Sequence, residues 1–418
     1  MNPMPGLWEH EQEMFHKRSV PALEVTPVVT DLLAAHAPIA IGVSGGKDST
    51  ATAFATSAFL DEIGHRGPRL LIHSHLGRVE WKDSLPSCQR LADRLRLELV
   101  VVERQAGDLM DRWLVRWRNN VERYVNLQCV KLILPWSMAS MRFCTKELKT
   151  VIICNYLVRR FPGSTILSVV GLRRQECSTR AKAPVCVPNV DLTSAKYQTC
   201  GYNWHPLLGW LKEDVLRYHD LCDFPLHEAY LVYGTSRVSC CFCVLSSWAD
   251  LIASSACPDN HHIYREMVEL EIISAFSFQE SRWLGDVAPH LLSEETHVRL
   301  AEAKRRAALR QAIEARIPKH LLYVKGWPTV MPSRDEAILL SDVRCRVAEI
   351  MEMAILYTDP DAILGRYAEL MAINVQRQQK ATKARGPIET VQQEISAHRA
   401  IDHIPDDLVQ PMLFGGAQ

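Results

Sequence analysis

Two groups of residues in this chain have types and spacing that chemistry can use. The first is Ser44-Gly45-Gly46-Lys47-Asp48-Ser49. Adjacent glycines let main-chain N–H groups approach a polyphosphate closely, because no Cβ stands in the way. A helix beginning here would add its own free N–H donors and a favourable dipole. Ser44 and Ser49 can donate hydroxyl hydrogen bonds, and Lys47 contributes positive charge. The spacing is not that of a Walker A loop, which places four residues between its first glycine and Gly-Lys-Ser/Thr. A plain strand-to-helix turn capped by Asp48 or Ser49 is the competing reading. The complete string, set between an apolar run and an Ala/Thr/Phe-rich stretch, favours phosphate binding.

The second group is cysteine. Cys240 and Cys243 form a C-x-x-C within Arg237-Val-Ser-Cys-Cys-Phe-Cys-Val. Two thiolates at this spacing can chelate one metal centre from a single turn, and two more sulfurs would complete a [4Fe–4S] cluster or a structural zinc site. The 13 cysteines do not read as a disulfide framework, since the chain is long and has no secretory signature. Cys129, Cys154, Cys222 and Cys345 lie in apolar helical text and read as core thiols. Cys177, Cys186 and Cys200 lie in a stretch without periodicity, where one of them could relay sulfur.

These groups need a scaffold. Short apolar runs at Pro38–Ser44, Arg69–Ser74, Leu97–Glu103 and Thr165–Gly171 predict buried strands, with helices over Ser49–Leu60 and Leu85–Leu95. Continuous apolar strands separated by helices imply a parallel sheet covered on both faces. Residues 105–160 read as mostly helical, and 172–205 as an active-site loop. Long amphipathic helices follow at Ile263–Ser274, Glu295–Arg316, Ser341–Tyr357 and Asp361–Lys383, and the last twenty or so residues read as loosely ordered. The fold class is therefore α/β, a Rossmann-like doubly wound parallel sheet with an all-α C-terminal domain. The expected division is an N-terminal extension (1–35), the α/β domain (36–260) and a helical domain (261–418).

Composition narrows the partners. With 48 basic and 48 acidic residues the formal net charge is zero, which argues against holding nucleic acid by bulk charge. Locally, Arg299, Lys304, Arg305, Arg306, Arg310, Arg316 and Lys319 face only Glu302 and Glu314, and Arg377, Lys380, Lys383 and Arg385 form a run without acids. These basic helices can meet DNA or a partner subunit, or be solvated faces. No apolar run reaches the ~18 residues of a membrane span. The chain is expected to be cytoplasmic, with no membrane contact.

Placed after its first strand, SGGKDS resembles the signature of the PP-loop ATP pyrophosphatase (adenine nucleotide alpha-hydrolase) superfamily. Over roughly residues 36–260 the chain resembles the phosphoadenosine-phosphosulfate (PAPS) reductase-like branch. His75-Leu-Gly-Arg-Val-Glu-Trp81 resembles D-T-G-x-E, with His75-Leu76 in place of Asp-Thr. Arg142-Phe-Cys-Thr-Lys-Glu-Leu-Lys149 resembles R-x-C-T-x-x-L-K. Gly171-Leu-Arg-Arg-Gln-Glu-Cys-Ser-Thr-Arg180 resembles G-x-R-x-x-E-S-x-x-R, with Cys177 inserted. Trp204–Asp214 resembles the P-L-x-x-W-x-x-x-D-V helix start.

The resemblance implies ATP and Mg2+ as ligands. Ser44 to Ser49, Gly77, Gly171 and Arg174 would bind the nucleotide, with Lys47, Asp48, Arg173 and Arg180 catalytic; Arg142 and Lys149 are further phosphate partners. If the acid missing at His75 is a magnesium ligand, Asp48 serves alone. The order Cys144, Cys240, Cys243, Cys257 is similar to that of DndC-type DNA-phosphorothioation proteins, which implies an iron–sulfur cluster ahead of zinc. It further implies ATP cleavage to AMP and pyrophosphate for sulfur transfer in phosphorothioation and anti-phage defence, with a cysteine desulfurase as donor. A sulfonucleotide reductase of sulfur assimilation is the alternative, weakened by the intact loop and by the lack of a Glu-Cys-Gly motif. A non-catalytic nucleotide-sensing subunit of a defence complex is the third.

Overall fold

The computed structural model describes residues 20–385, with side chains described to residue 380. The expectations for the first nineteen residues, for the side chains of Lys383 and Arg385, and for the loosely ordered last residues lie outside them. The described residues divide into two compact units. One takes the chain up to Arg112, Met141–Met267 and Asp286–Leu291, and the other Trp113–Ser140, Val268–Gly285 and the chain from Leu292 onward.

The first unit is built on a six-stranded sheet. Its elements run α1 (Pro27–Ala34), β1 (Ile39–Gly42), α2 (Lys47–Glu62), β2 (Arg69–His75), α3 (Ser84–Leu95), β3 (Glu98–Glu103), then, past the second unit's first segment, α4 (Val151–Arg160), β4 (Thr165–Val169), β5 (Cys186–Pro188) and β6 (Cys200–Trp204). Strand order is β3-β2-β1-β4-β6-β5, parallel throughout except that β5 runs antiparallel to β6. This is a Rossmann-like sheet. Alternation along β1 explains its two covered faces. Ile39 and Ile41 pack with Ala53 and Leu60 of α2 and Leu91 of α3, while Ala40 joins Leu157 and Val158 of α4 on the other side. Burying each such Ile or Leu contributes about 2 kcal/mol. The sheet order reverses between β1 and β4, and ligands in open α/β sheets bind at such a switch point, beyond the carboxyl ends of the strands.

The expected loop over 172–205 contains two strands, β5 and β6. Their Gly, Pro, Ser and Cys text has no apolar alternation. β6 exists because its main chain completes the ladder of β4, a long-range partnership that local periodicity does not record. β5 is an edge strand and ends on Pro188, as an edge permits. In the second unit, the helix predicted from Ser341 spans Arg334–Ile350 instead. A capping box decides its start: the Glu336 N–H donates to Ser333 Oγ, and the Ser333 N–H donates to the Glu336 carboxylate. Among the described residues, no helix is long and apolar enough to cross a membrane.

Candidate functional site

The chain leaves β1 and turns at Gly45, whose φ of +73° a side chain would strain. A Cβ there would also stand 3.1 Å from both the His227 ring and the Ser84 carbonyl oxygen. Gly46 is the N-cap of α2 and has no side-chain cap. The loop is tied across itself: the Ser44 N–H donates to Ser49 Oγ (3.2 Å), and that hydroxyl donates to the Gly46 carbonyl (2.9 Å). The N–H groups of Gly45 and Gly46 have no protein acceptor among the described residues. All six residues of the predicted loop are therefore together, curled around main-chain donors at the switch point.

A chain of charges lies beneath. Lys47, 6% exposed, sends its ammonium to the Ser236 carbonyl (3.3 Å) and to Asp48 Oδ2 (3.3 Å). Asp48 Oδ1 accepts from Arg173 Nε at 2.5 Å, and Arg173 is 5% exposed. Gly171 lets the loop after β4 come this near, since a Cβ would lie 2.9 Å from the Asp48 carbonyl oxygen and 2.6 Å from Thr52 Oγ1. The other predicted residues have protein neighbours of their own. Arg174 pairs with Glu24, and Arg180 pairs with Glu176. Gly77 (φ +74°) faces Asp108, which holds Arg78. Arg142 reaches only Thr145 Oγ1 in the hydrogen bonds of its own segment.

Four residues that brace the loop have no motif in the sequence. His219 Nε2 donates to the Lys47 carbonyl (2.8 Å). The Tyr230 hydroxyl accepts from the N–H groups of Lys47 and Val238, and the Lys47 ammonium sits 5.0 Å from its ring centre. His227 Nδ1 accepts from the Ala229 N–H, so the proton of its neutral ring is on Nε2 and points to Ser84 Oγ (3.3 Å). Burial lowers the His227 pKa to about 4, which keeps the ring neutral. Asp250 accepts from the Ser236 N–H (2.7 Å) and so fixes the carbonyl that holds Lys47. Only the fold assembles them, from scattered positions in 219–250.

The cysteines follow directly on this brace. Cys240 bridges to Glu80 through the main chain, and the Cys241 N–H donates to the Val79 carbonyl (2.8 Å). Burial, followed by the charge of the neighbouring Cys243, pushes the Cys240 thiol up; Cys144 adds to this and Lys149 opposes it. Cys257 has different neighbours: it lies near Tyr233 and Cys241, whose own thiol donates to Asn260 Oδ1. Among the described residues no three His, Cys, Asp or Glu side chains converge at metal-ligand spacing. Cys144, Cys240 and Cys243 are thus not drawn onto one centre. Asp48 is matched by two cations, Lys47 and Arg173.

Beneath Glu80 lies a buried ion pair. His73 Nδ1 is 3.1 Å from the Val43 carbonyl and its Nε2 is 3.3 Å from Glu80 Oε2. Two acceptors on two ring nitrogens require a proton on each. Burial opposes that charge, but hydrogen bonds to Cys88 and Glu80 outweigh it and hold the His73 pKa at about 10. Burial likewise disfavours a charged Glu80, yet His73, with Lys149 and His75, brings its pKa below the ordinary value. Nearby, a cavity of about 700 Å3 opens at the end of β2, lined by His75, Glu80, Trp81, His261 and His262 among others.

Residues 38–244 match the family model of the phosphoadenosine phosphosulfate reductase domain. The chain carries a PAPS reductase domain. This domain holds the loop, the charge chain, Glu80 and the residues Cys144, Cys240 and Cys243. No curated protein matches the chain in sequence. Among solved structures it is similar to Candida glabrata FMN adenylyltransferase in complex with FAD and inorganic pyrophosphate, at 14% identity and a TM-score of 0.29, covering 48% of this chain and 54% of that one. It is also similar to the U34-tRNA thiolase NcsA from Methanococcus maripaludis with its [4Fe-4S] cluster, at 14% identity and a TM-score of 0.32, covering 63% and 80%. Likeness at that distance transfers no function.

The His73–Glu80 pair has a testable pH signature. A raised histidine pKa stabilises fully below about pH 6.5, the ring's unfolded value, and the contribution disappears as pH climbs towards 10. Glu80→Gln should cost about 3 kcal/mol near pH 6 by leaving a buried charge unpaired. Urea midpoints should show the gap between parent and variant closing as pH rises. A gap that stays constant to pH 10 would rule out the charged pair.

Proposed function

We propose that this PAPS reductase domain is an ATP pyrophosphatase that activates an acceptor oxygen for sulfur transfer. One observation carries the reading: the complete Ser44–Ser49 loop is tied across itself after β1, and its Lys47 and Asp48 are joined to Arg173 in one chain of charges. The acceptor oxygen attacks the α-phosphorus of ATP and the bond to the β-phosphate breaks. Pyrophosphate leaves with the electron pair, its charge met by the loop N–H groups, Lys47 and Arg173. Mg2+ would arrive on the nucleotide phosphates, where it supplies further positive charge. A sulfide-equivalent nucleophile from a donor such as a cysteine desulfurase then displaces AMP. The cavity beyond β2 gives the acceptor room.

The purified protein should convert ATP to AMP and pyrophosphate. Ser49→Ala should lower the rate about tenfold by untying the loop, and Arg173→Met by about a hundredfold, the usual range for one lost transition-state donor. Release of ADP and phosphate, resolved by ion-exchange chromatography, would eliminate the reading.

The cysteine group supports a [4Fe–4S] cluster held by Cys144, Cys240 and Cys243, with Cys257 as the sequence-order choice for the fourth ligand. Such a cluster supplies a place to hold or pass sulfur. Anaerobically purified protein should be brown, with broad absorption near roughly 400 nm, and should lose iron in Cys240→Ser or Cys243→Ser. Iron measured in Cys257→Ser decides the fourth ligand. Stoichiometric zinc without iron would replace the cluster by a structural site.

A DNA backbone phosphate in a defence pathway is the acceptor that the DndC-type resemblance supports. Host DNA digested to nucleosides should then yield phosphorothioate-linked dinucleotides by mass spectrometry, and deletion of the gene should abolish them. Unchanged linkages after deletion would exclude DNA as the acceptor.

A further inference from the structure

The second unit contains a hollow whose chemistry differs from everything above. It lies between a tight turn, residues 324–327, and one turn of the helix Pro360–Arg385. Val324 and Trp327 exchange main-chain hydrogen bonds (2.9 and 3.1 Å), while Lys325 and Gly326, between them, have φ of +51° and +87°. This is a two-residue hairpin turn with both central residues left-handed, where Asn, Asp or Gly is the ordinary first residue. Here that position is a lysine, projected from the rim of the hollow.

The lining is consistent in kind. Trp327 is half-buried, and the Arg377 guanidinium lies 5.7 Å from its ring centre. That arrangement braces the indole by a cation–π contact. Asn374 and Gln378 bring amides from the same helix face, and none of the described lining residues is acidic. Lys380 continues the basic run three residues beyond Arg377. The cavity measures about 560 Å3, within the ~300–1,000 Å3 of small-ligand sites and enough for one nucleotide. Because the protein as a whole is neutral, this local excess of cations is not a by-product of bulk charge.

An aromatic ring, amides and positive charge are the parts that single-stranded nucleic acids are held by. Stacking on an aromatic side chain recognises any base, and cations follow the backbone. A duplex would keep its bases stacked on one another and leave Trp327 without a partner. An apolar peptide would have no use for Lys325 or Arg377.

We propose that the Trp327 hollow binds one unpaired nucleotide of a single-stranded nucleic acid, with its base on the indole and its phosphate on Lys325 and Arg377. This inference stands on the second unit alone and needs none of the reaction proposed above.

The test is fluorescence anisotropy of the full chain, without ATP, against a labelled oligothymidylate of about 12 nucleotides, the matching duplex, and poly-glutamate. The single strand should bind best and weaken as salt rises, since each neutralised phosphate adds about 0.7 to the log–log slope. Trp327→Ala should weaken binding about fivefold or more, the factor equivalent to about 1 kcal/mol of stacking. Trp327→Phe should retain most of it. Lys325→Glu, on an exposed turn that does not hold the fold, should lower both affinity and salt slope, and it keeps the test open if Trp327→Ala is unstable. Single-strand binding unchanged in Trp327→Ala and Lys325→Glu would overturn the proposal. So would tighter binding of the duplex or of poly-glutamate.

Discussion

Three charges sit inside the first unit within a few ångströms of one another, and interior charges persist only when each is matched. Lys47 comes from the first turn of α2, Asp48 from the next residue, and Arg173 from the loop after β4. Satisfying them demands that β1 and β4 be adjacent, that Gly171 lack a side chain, and that the Ser236 carbonyl be present. The Ser44–Ser49 loop is therefore held by a requirement of electrostatics as well as by its own two serines. A polyphosphate placed on the loop would enter a site whose countercharges are already positioned, and such preorganisation is what makes electrostatic catalysis effective.

The same logic ties the loop to the cysteines. His227, Tyr230, Ser236 and Val238 brace the loop, and Cys240 follows two residues later with its main chain bridged to Glu80. Glu80 is in turn paired with His73, which is bonded to the carbonyl of Val43, the residue just before the loop. One buried network thus runs from the end of β1 through β2 to the C-x-x-C segment. A change in the cysteines' company has a short physical path to the nucleotide loop. The substitution of His75 for the family's acid falls on this network, where His75 joins Glu80 at 3.6 Å.

Much of this was legible in the residue string. Buried parallel strands are written as apolar runs, so β1 to β4 appear within a residue or two of their predicted bounds, and Ser44–Ser49 declares its turn through glycine and hydroxyl spacing. β5 and β6 were not legible, because their stability comes from main-chain partners more than local side-chain pattern. Arg174 and Arg180 read as phosphate partners by type, but Glu24 and Glu176 face them in space. Charge alone cannot say which of two acids, the ligand's or the protein's, an arginine will meet.

The sequence by itself determined which residue types are available for chemistry, since their physical properties do not depend on distant partners: two adjacent glycines, a lysine and an aspartate beside them, and a C-x-x-C pair. Only tertiary structure decided which of the other candidates join them. It brought Arg173 onto Asp48, bridged Cys240 to Glu80, and recruited His219, His227 and Tyr230 from positions with no motif. Those outcomes rest on distances across the sheet, which the order of residues along a chain does not encode locally.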